Sequence, residues 1–276
     1  GTCTMSTKIK KNSIQKVSMR KRVVYTAIFG GYDNLIDPKE IDKSVDYICF
    51  TDDKNIKSHK WNVIYVKTDE EIDKAKLNRH YKFFPHLYFS EYEESLYLDG
   101  NIEIVSERIS EAFDIALNDS DISIPRHTER NCIYEEANTC LELGKGNSEK
   151  IKEQIEFYKH SDYPENNGLF ENNVIFRKHN TQAIIKLMEE WHDAISIFSA
   201  RDQLSLCFLM WKNSICCKEF SWGPKKSNRF FKIRFHRAEI NNPFYKKIIL
   251  YILLNKNIKW YYYTMSLIIN KLKRMV

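Results

Sequence analysis

The stretch "ESLYLDGNIEI", residues 94–104, runs apolar, drops Asp99, Gly100 and Asn101 in a row, and turns apolar again. Asp, Gly and Asn are the usual residues of a tight turn. They are also carboxylate and amide oxygens on either side of a glycine, a set able to hold a hard divalent cation beside a diphosphate. The choice between these readings depends on what surrounds the strand.

Upstream, "RVVYTAIFG" (residues 22–30) reads as a buried strand rich in β-branched and aromatic residues, stopped by "GGYDN". "VDYICFTDD" (45–53) and "WNVIYVKT" (61–68) repeat the design, and "SLYL" is the fourth strand, with "DGNIEI" as its exit. Residues 69–89 predict a helix with acids in its first turn and bases later, ended or kinked at Pro85. Downstream, helices are expected over 106–118, on either side of Gly144 to Gly146 within 132–162, and over 180–198 and 201–213. Strands are expected over 121–127 and 169–179. Strands that alternate with helices and end in polar residues predict an α/β sheet with a ligand crevice at the strand C-termini.

Composition narrows the class. The 276 residues, 43% hydrophobic and 29% charged, suit one large globular domain with an appendage. Seven scattered cysteines with no C-x-x-C pair favour reduced thiols over a zinc site or disulfide framework, and hence a cytoplasmic setting. Residues 1–22 carry seven Lys or Arg and no acid, as do residues 240–276. With two ends of +7 in a net charge of +6, the body between them carries −8. An acidic body with two basic ends is unlike a nucleic-acid binder, and no nucleic-acid motif is present. The expected organisation is a flexible basic leader over 1–21 with no secretory signal, a domain over 22–240, and a basic aromatic helical extension over 241–276.

In that extension the apolar runs "IILYILL" and "WYYYTMSLII" fall short of the roughly 18 to 20 residues that cross a bilayer. A pair of helices on an anionic membrane surface, peripheral to the inner face of the membrane, is the reading that uses both its lysines and its aromatics. A helix packed on the domain with a solvated basic face is the plainer one.

The blocks "VVYTAIFGGYDNL", "DYICFTDD", "NRHYKFFPHLYF", "YLDGNIEI", "RHTERNCIYEEA", "NNVIFRKHN" and "RDQLSL" occur in this order. Together they resemble a glycosyltransferase-like domain family of bacterial polysaccharide-cluster proteins and plant mucilage-related proteins. The resemblance covers about residues 22–237. It implies a nucleotide-diphospho-sugar transferase fold of the GT-A type, a Rossmann-like mixed sheet flanked by helices. It also implies sugar transfer from a nucleotide-sugar donor, UDP-sugar favoured, to a glycan or lipid-linked acceptor. In such enzymes an Asp-x-Asp motif holds Mn²⁺ or Mg²⁺ against the departing diphosphate.

On that footing Asp99 and Asn101 are expected metal ligands, with His236 of "FKIRFHR" returning from the domain's end as a third. Asn101, where an Asp would be expected, keeps an oxygen but removes a charge. Ala27, Phe29 and Tyr32 at the first strand's exit and Asp52 and Asp53 at the second's are nucleotide-binding candidates, with core packing open for Phe29 and a cap for one Asp. Arg79 and Lys82, three apart on one helix face, suit the diphosphate, and the run "GPKKSNRFFKIR" suits a loop closing over it. Asp202 is the expected base if the reaction inverts the anomeric centre, or a positioning group if it retains it. His127, Glu135 and Glu136 are candidates for sugar hydroxyls. The competing reading, kept open by Asn101, is a non-catalytic protein of the same fold that binds glycans or scaffolds an assembly.

Overall fold

The computed structural model describes residues 21–273, so the expected leader lies, apart from Lys21, outside the described residues. The first strand, β1 (Arg22–Ile28), is buried along nearly its whole length, as its unbroken apolar run requires of a central parallel strand. It pairs in parallel with β2 (Asp46–Thr51) on one side and with β4 (Glu94–Leu98) on the other. β3 (Asn62–Tyr65), more exposed, forms the edge beyond β2. On the far side β4 pairs antiparallel with β7 (Val174–Arg177), followed by β6 (Ile122–Ile124) and the short β8 (Lys218–Glu219). The seven-stranded order is β3-β2-β1-β4-β7-β6-β8. The chain runs outward from β1 to β3 and then returns to place β4 on β1's other flank. A crevice therefore opens beyond the carboxyl ends of β1 and β4, where strand order reverses.

Alternation along β1 divides the core. Val23, Tyr25 and Ala27 face a layer built by α1 (Lys74–Phe83), α3 (Ile133–Glu142), α4 (Ser148–His160), α5 (Gln182–Ile197) and α6 (Leu206–Lys212). Val24 and Ile28 face α2 (Ile109–Leu117) on the other side. Trp191 of α5 is fully buried with its ring centroid 4.3 Å from that of Phe83. Truncating such a residue to Ala costs about 3 to 5 kcal/mol.

Several elements depart from the sequence reading. α1 starts at Lys74, capped by the Asp73 carboxylate on the Ala75 and Lys76 N–H groups, so Asp69, Glu70 and Glu71 precede the helix instead of filling its first turn. The helix ends before Pro85, and Pro85–Leu87 forms a 3-10 turn. The strand expected over 169–179 shortens to β7 because Asn172 adopts a left-handed backbone (φ 48°), which breaks a ladder. The exit of the fourth strand is a separate strand, β5 (Ile102–Ile104), which leaves the main sheet and pairs antiparallel with β9 (Phe231–Ile233). That pairing carries His236 back to Asp99. His236 lies on no strand: it caps α7 (Arg237–Ile240), with the Glu239 carboxylate accepting its backbone N–H. The chain closes with α8 (Phe244–Asn255) and α9 (Trp260–Lys273).

Candidate active site

At the strand switch a cavity of about 330 Å³ is lined by Ala27 of β1, by Tyr32 and Asp33 after it, and by Asn78 and Arg79 of α1. Tyr97, Asp99 and Gly100 at the end of β4, then Arg201, Asp202 and His236, complete the wall. This volume lies within the range of small-molecule sites. Of the expected site residues, Ala27, Tyr32, Arg79, Asp99, Asp202 and His236 thus meet around one space, from positions up to 209 residues apart.

Beneath the cavity Lys82 Nζ lies 2.8 Å from Asp202 Oδ2 and 3.7 Å from Asp99 Oδ1. The lysine is buried while both carboxylates keep partial access to the cavity. Burial alone would raise the Asp202 pKa, but the charge and hydrogen bond of Lys82 prevail and hold it below the ordinary carboxylate value. For Asp99 burial wins: its pKa is raised, with Lys82 opposing and Asp202 adding to the rise. Burial opposes charge on Lys82 as well, yet its two carboxylates raise its pKa. Lys82 is thus the carboxylates' counter-ion, and is not among the residues lining the cavity.

The backbone of this corner is fixed from behind. The Trp191 indole donates to the Asp202 carbonyl at 3.1 Å, and Tyr158 and Gln154 of α4 donate to the Leu204 carbonyl at 2.8 and 3.2 Å. Asp202 opens a 3-10 turn, Asp202–Leu204, ahead of α6. Arg79 donates to the Ala200 carbonyl at 3.1 Å, and Arg201, whose buried Nε has no hydrogen-bond partner among the described residues, also lines the cavity.

On the opposite wall His236 Nδ1 lies 3.0 Å from both oxygens of Asp33. A carboxylate only accepts, so Nδ1 carries a proton, and whenever the ring is neutral the lone pair is on Nε2. The Asp33 hydrogen bond also raises the His236 pKa, against burial. Asp33 is itself buried and accepts the Arg237 N–H at 3.1 Å. Gly100 is required here, since a Cβ on it would meet Asp33 Cβ at 2.9 Å.

The proposed cation ligands fit this wall in part. Asp99 and His236 face the cavity. Asn101 is buried, and its amide donates to the Arg234 carbonyl at 3.2 Å. That bond requires the amide nitrogen, which then also stands 3.3 Å from His236 Nε2. The amide is oriented as a donor toward His236 Nε2, whose single lone pair takes either this contact or a cation. Among the described residues no cluster of three or more His, Cys, Asp or Glu is arranged to hold a metal. Two donors, a carboxylate and an imidazole, nevertheless suit an ion that takes its remaining ligands from substrate oxygens.

Other candidates fall elsewhere. Phe29 is core, its ring stacked 5.1 Å from Tyr81. Asp52 accepts the Gly30 N–H at 3.0 Å and pairs with Lys74, so it braces the β1 turn. Asp53 accepts the Asn55 N–H in a local turn. His127 Nδ1 accepts from the Glu129 and Arg130 N–H groups, Glu136 pairs with Arg130 at 2.6 Å, and Glu135 is exposed; none lines the cavity. The loop of residues 222–230 is folded by Asn228, which donates to three carbonyls, and does not line the cavity either. Asp33 and Arg201 were missed: Asp33 sat in "GGYDN", read only as a strand stop, and Arg201 stood beside the more conspicuous Asp202.

A mixed sheet of this order flanked by helices, with a crevice at the β1–β4 switch and the β5–β9 ladder returning a histidine to it, agrees with the GT-A type of fold that the sequence blocks imply. The chain belongs to the TOD1/MUCI70 glycosyltransferase-like domain family, which it matches over residues 2–232. It is 27% identical over 250 residues to the protein named "Probable hexosyltransferase MUCI70" of Arabidopsis thaliana, across 79% of this chain and 42% of that protein. The chain thus spans less than half the length of that relative. A solved apo structure of the bifunctional glycosyltransferase WbbM superposes with a TM-score of 0.47 at 11% identity, over 87% of this chain and 45% of that one.

Proposed function

We propose that this chain transfers a sugar, a hexosyl unit as the relative's name suggests, from a nucleoside diphosphate donor to a hydroxyl acceptor in cell-surface polysaccharide synthesis. The observation that carries this reading is the meeting of Asp99, Asp202 and His236 with Arg79 and Arg201 around one cavity at the strand switch. In the reaction an acceptor hydroxyl oxygen bonds to the anomeric carbon as the carbon–oxygen bond to the diphosphate breaks, and the hydroxyl proton passes to the departing diphosphate. Charge then grows on the departing phosphate.

Arg79 and Arg201, which both line the cavity, bind that diphosphate through charge-assisted hydrogen bonds. Tyr32 and Ala27 border the nucleotide side. A Mg²⁺ or Mn²⁺ ion bound here would be held by Asp99 and His236 and would supply further neutralisation of the leaving group. Asn101 is left out of the ligand set, and its amide would give up His236 Nε2 to the ion. Asp202, paired with Lys82 and depressed in pKa, is a weak proton acceptor, and the pair favours its second role, holding a sugar or acceptor hydroxyl in place.

Calorimetric titration with UDP, UDP-hexoses and other nucleoside diphosphate sugars, with and without Mn²⁺, tests the reading. Binding that is lost in Arg201→Met, followed by release of UDP when acceptor glycans are added, is the expected result. Failure of every nucleotide to bind in both conditions would overturn it. Binding without transfer or hydrolysis would favour a non-catalytic glycan-assembly protein.

A further inference from the structure

We propose that α8 and α9 form a docking surface for an anionic lipid bilayer, lying in the plane of its headgroups. Twelve large apolar side chains are exposed between Ile240 and Leu272, against eleven across all the other described residues. Phe244 is 76% and Trp260 79% exposed, values that an ordinary solvated helix face does not explain. α9 rests on the remainder through one stripe, Tyr262, Ser266 and Ile269, and is open on its other sides.

The charge says what covers this surface. No acid occurs after Glu239, while seven Lys and Arg follow. Lys246 and Lys247 stand in the first turn of α8, where the helix dipole favours acids, so they are not there for the helix's own stability. Lys259 precedes α9 and Lys271 lies near its end. Basic residues at the helix ends with aromatic and aliphatic residues between them are the composition of an interfacial helix, apolar faces among acyl chains and ammonium groups at phosphates. A second copy of the same basic face would be repelled.

Length fixes the orientation. The 14 residues of α9 extend about 21 Å, against about 30 Å of hydrocarbon. Among the described residues no helix is long and apolar enough to cross a membrane. Lys256 is ion-paired with Glu129, which ties the surface to the domain that carries the cavity.

The inference does not depend on the sugar-transfer reading, and nucleotide binding in solution should survive every substitution used to test it. The full chain is mixed with vesicles of phosphatidylcholine alone or enriched in phosphatidylglycerol, and flotation is scored. Co-flotation with the anionic vesicles only, weakened by salt, is the expected result. Reversing Lys246 and Lys247 to Glu should weaken it about tenfold or more. Trp260→Ala with Tyr263→Ala should weaken it at unchanged salt dependence. Should either double variant misfold, Lys271→Glu, a single exposed change, must still reduce binding. Equal binding to both vesicle types, or none to either, would overturn the proposal. So would a dimer in solution that Trp260→Ala dissolves while vesicles are ignored.

Discussion

Asp33 grips His236 across 203 residues of sequence, with both carboxylate oxygens 3.0 Å from Nδ1. The pair exists because β5 leaves the main sheet to meet β9, returning the chain to the β1 turn. Asp33 fixes the ring's tautomer and points Nε2 away from itself, the arrangement by which a carboxylate orients a ligand histidine.

Asp33→Asn should therefore lower donor turnover by about 10- to 100-fold, as loss of such a partner does elsewhere. Nucleotide affinity measured without Mn²⁺ should stay nearly unchanged, because Arg79 and Arg201 are untouched. Losing the charge on the Arg237 N–H bond should cost about 1 to 2 kcal/mol in urea unfolding. Equal loss of nucleotide binding with and without Mn²⁺ would show that Asp33 shapes the whole cavity and not His236 alone.

Lys82 is the second test. Replacing it with Met leaves Asp99 and Asp202 facing each other without their cation. Breaking a fully buried pair costs about 3 to 5 kcal/mol, and partial access of these carboxylates to the cavity reduces that to about 2 kcal/mol. Lys82→Met with Asp202→Asn should recover part of the lost stability while transfer stays abolished. Thermal unfolding of the parent and the two variants decides it, and a double variant no more stable than Lys82→Met would exclude the charge explanation.

Much of the fold was legible because periodicity and burial coincide. β1, β2 and β4 are apolar runs with polar ends, and β1 and β4 frame the cavity. The short β8 and β9 were not legible, since two or three residues carry no period. Within the site, charged residues flanking the strand ends were easy to find but hard to assign. Asp52, Asp53 and Glu136 satisfy local N–H groups or an arginine, which sequence spacing does not distinguish from ligand binding. Asp33 was hidden for the converse reason, its role depending on a partner 203 residues away.

Asn101 separates a ligand from a brace. Its amide nitrogen is committed to the Arg234 carbonyl and to His236. Asn101→Ala should cost about 1 kcal/mol and leave the Mn²⁺ concentration that supports half-maximal turnover within a few-fold of the parent. Asn101→Asp should destabilise, since a carboxylate accepts where a donor is needed. A sharp fall in Mn²⁺ requirement in Asn101→Asp would instead restore Asn101 to the ligand set.

Asp99 offers a test in which stability and activity move apart. Burial raises its pKa above the ordinary 3.8, so the folded chain favours the protonated acid. A raised folded pKa contributes stability that is fully present below 3.8 and is lost as pH rises through the folded value. At neutral pH the ionised carboxylate therefore weighs against folding. Asn, neutral and of the same shape, removes that cost, while Lys82 keeps its closer partner Asp202 at 2.8 Å. Asp99→Asn should melt at the parent's temperature or a few degrees above it near pH 7, and this advantage should vanish below pH 3.8, where the parent's Asp99 is itself neutral. Transfer should be lost at every pH. A melting temperature well below the parent's at pH 7 would mean that the Lys82 contact outweighs burial and that Asp99 is held for the turn, not for a ligand.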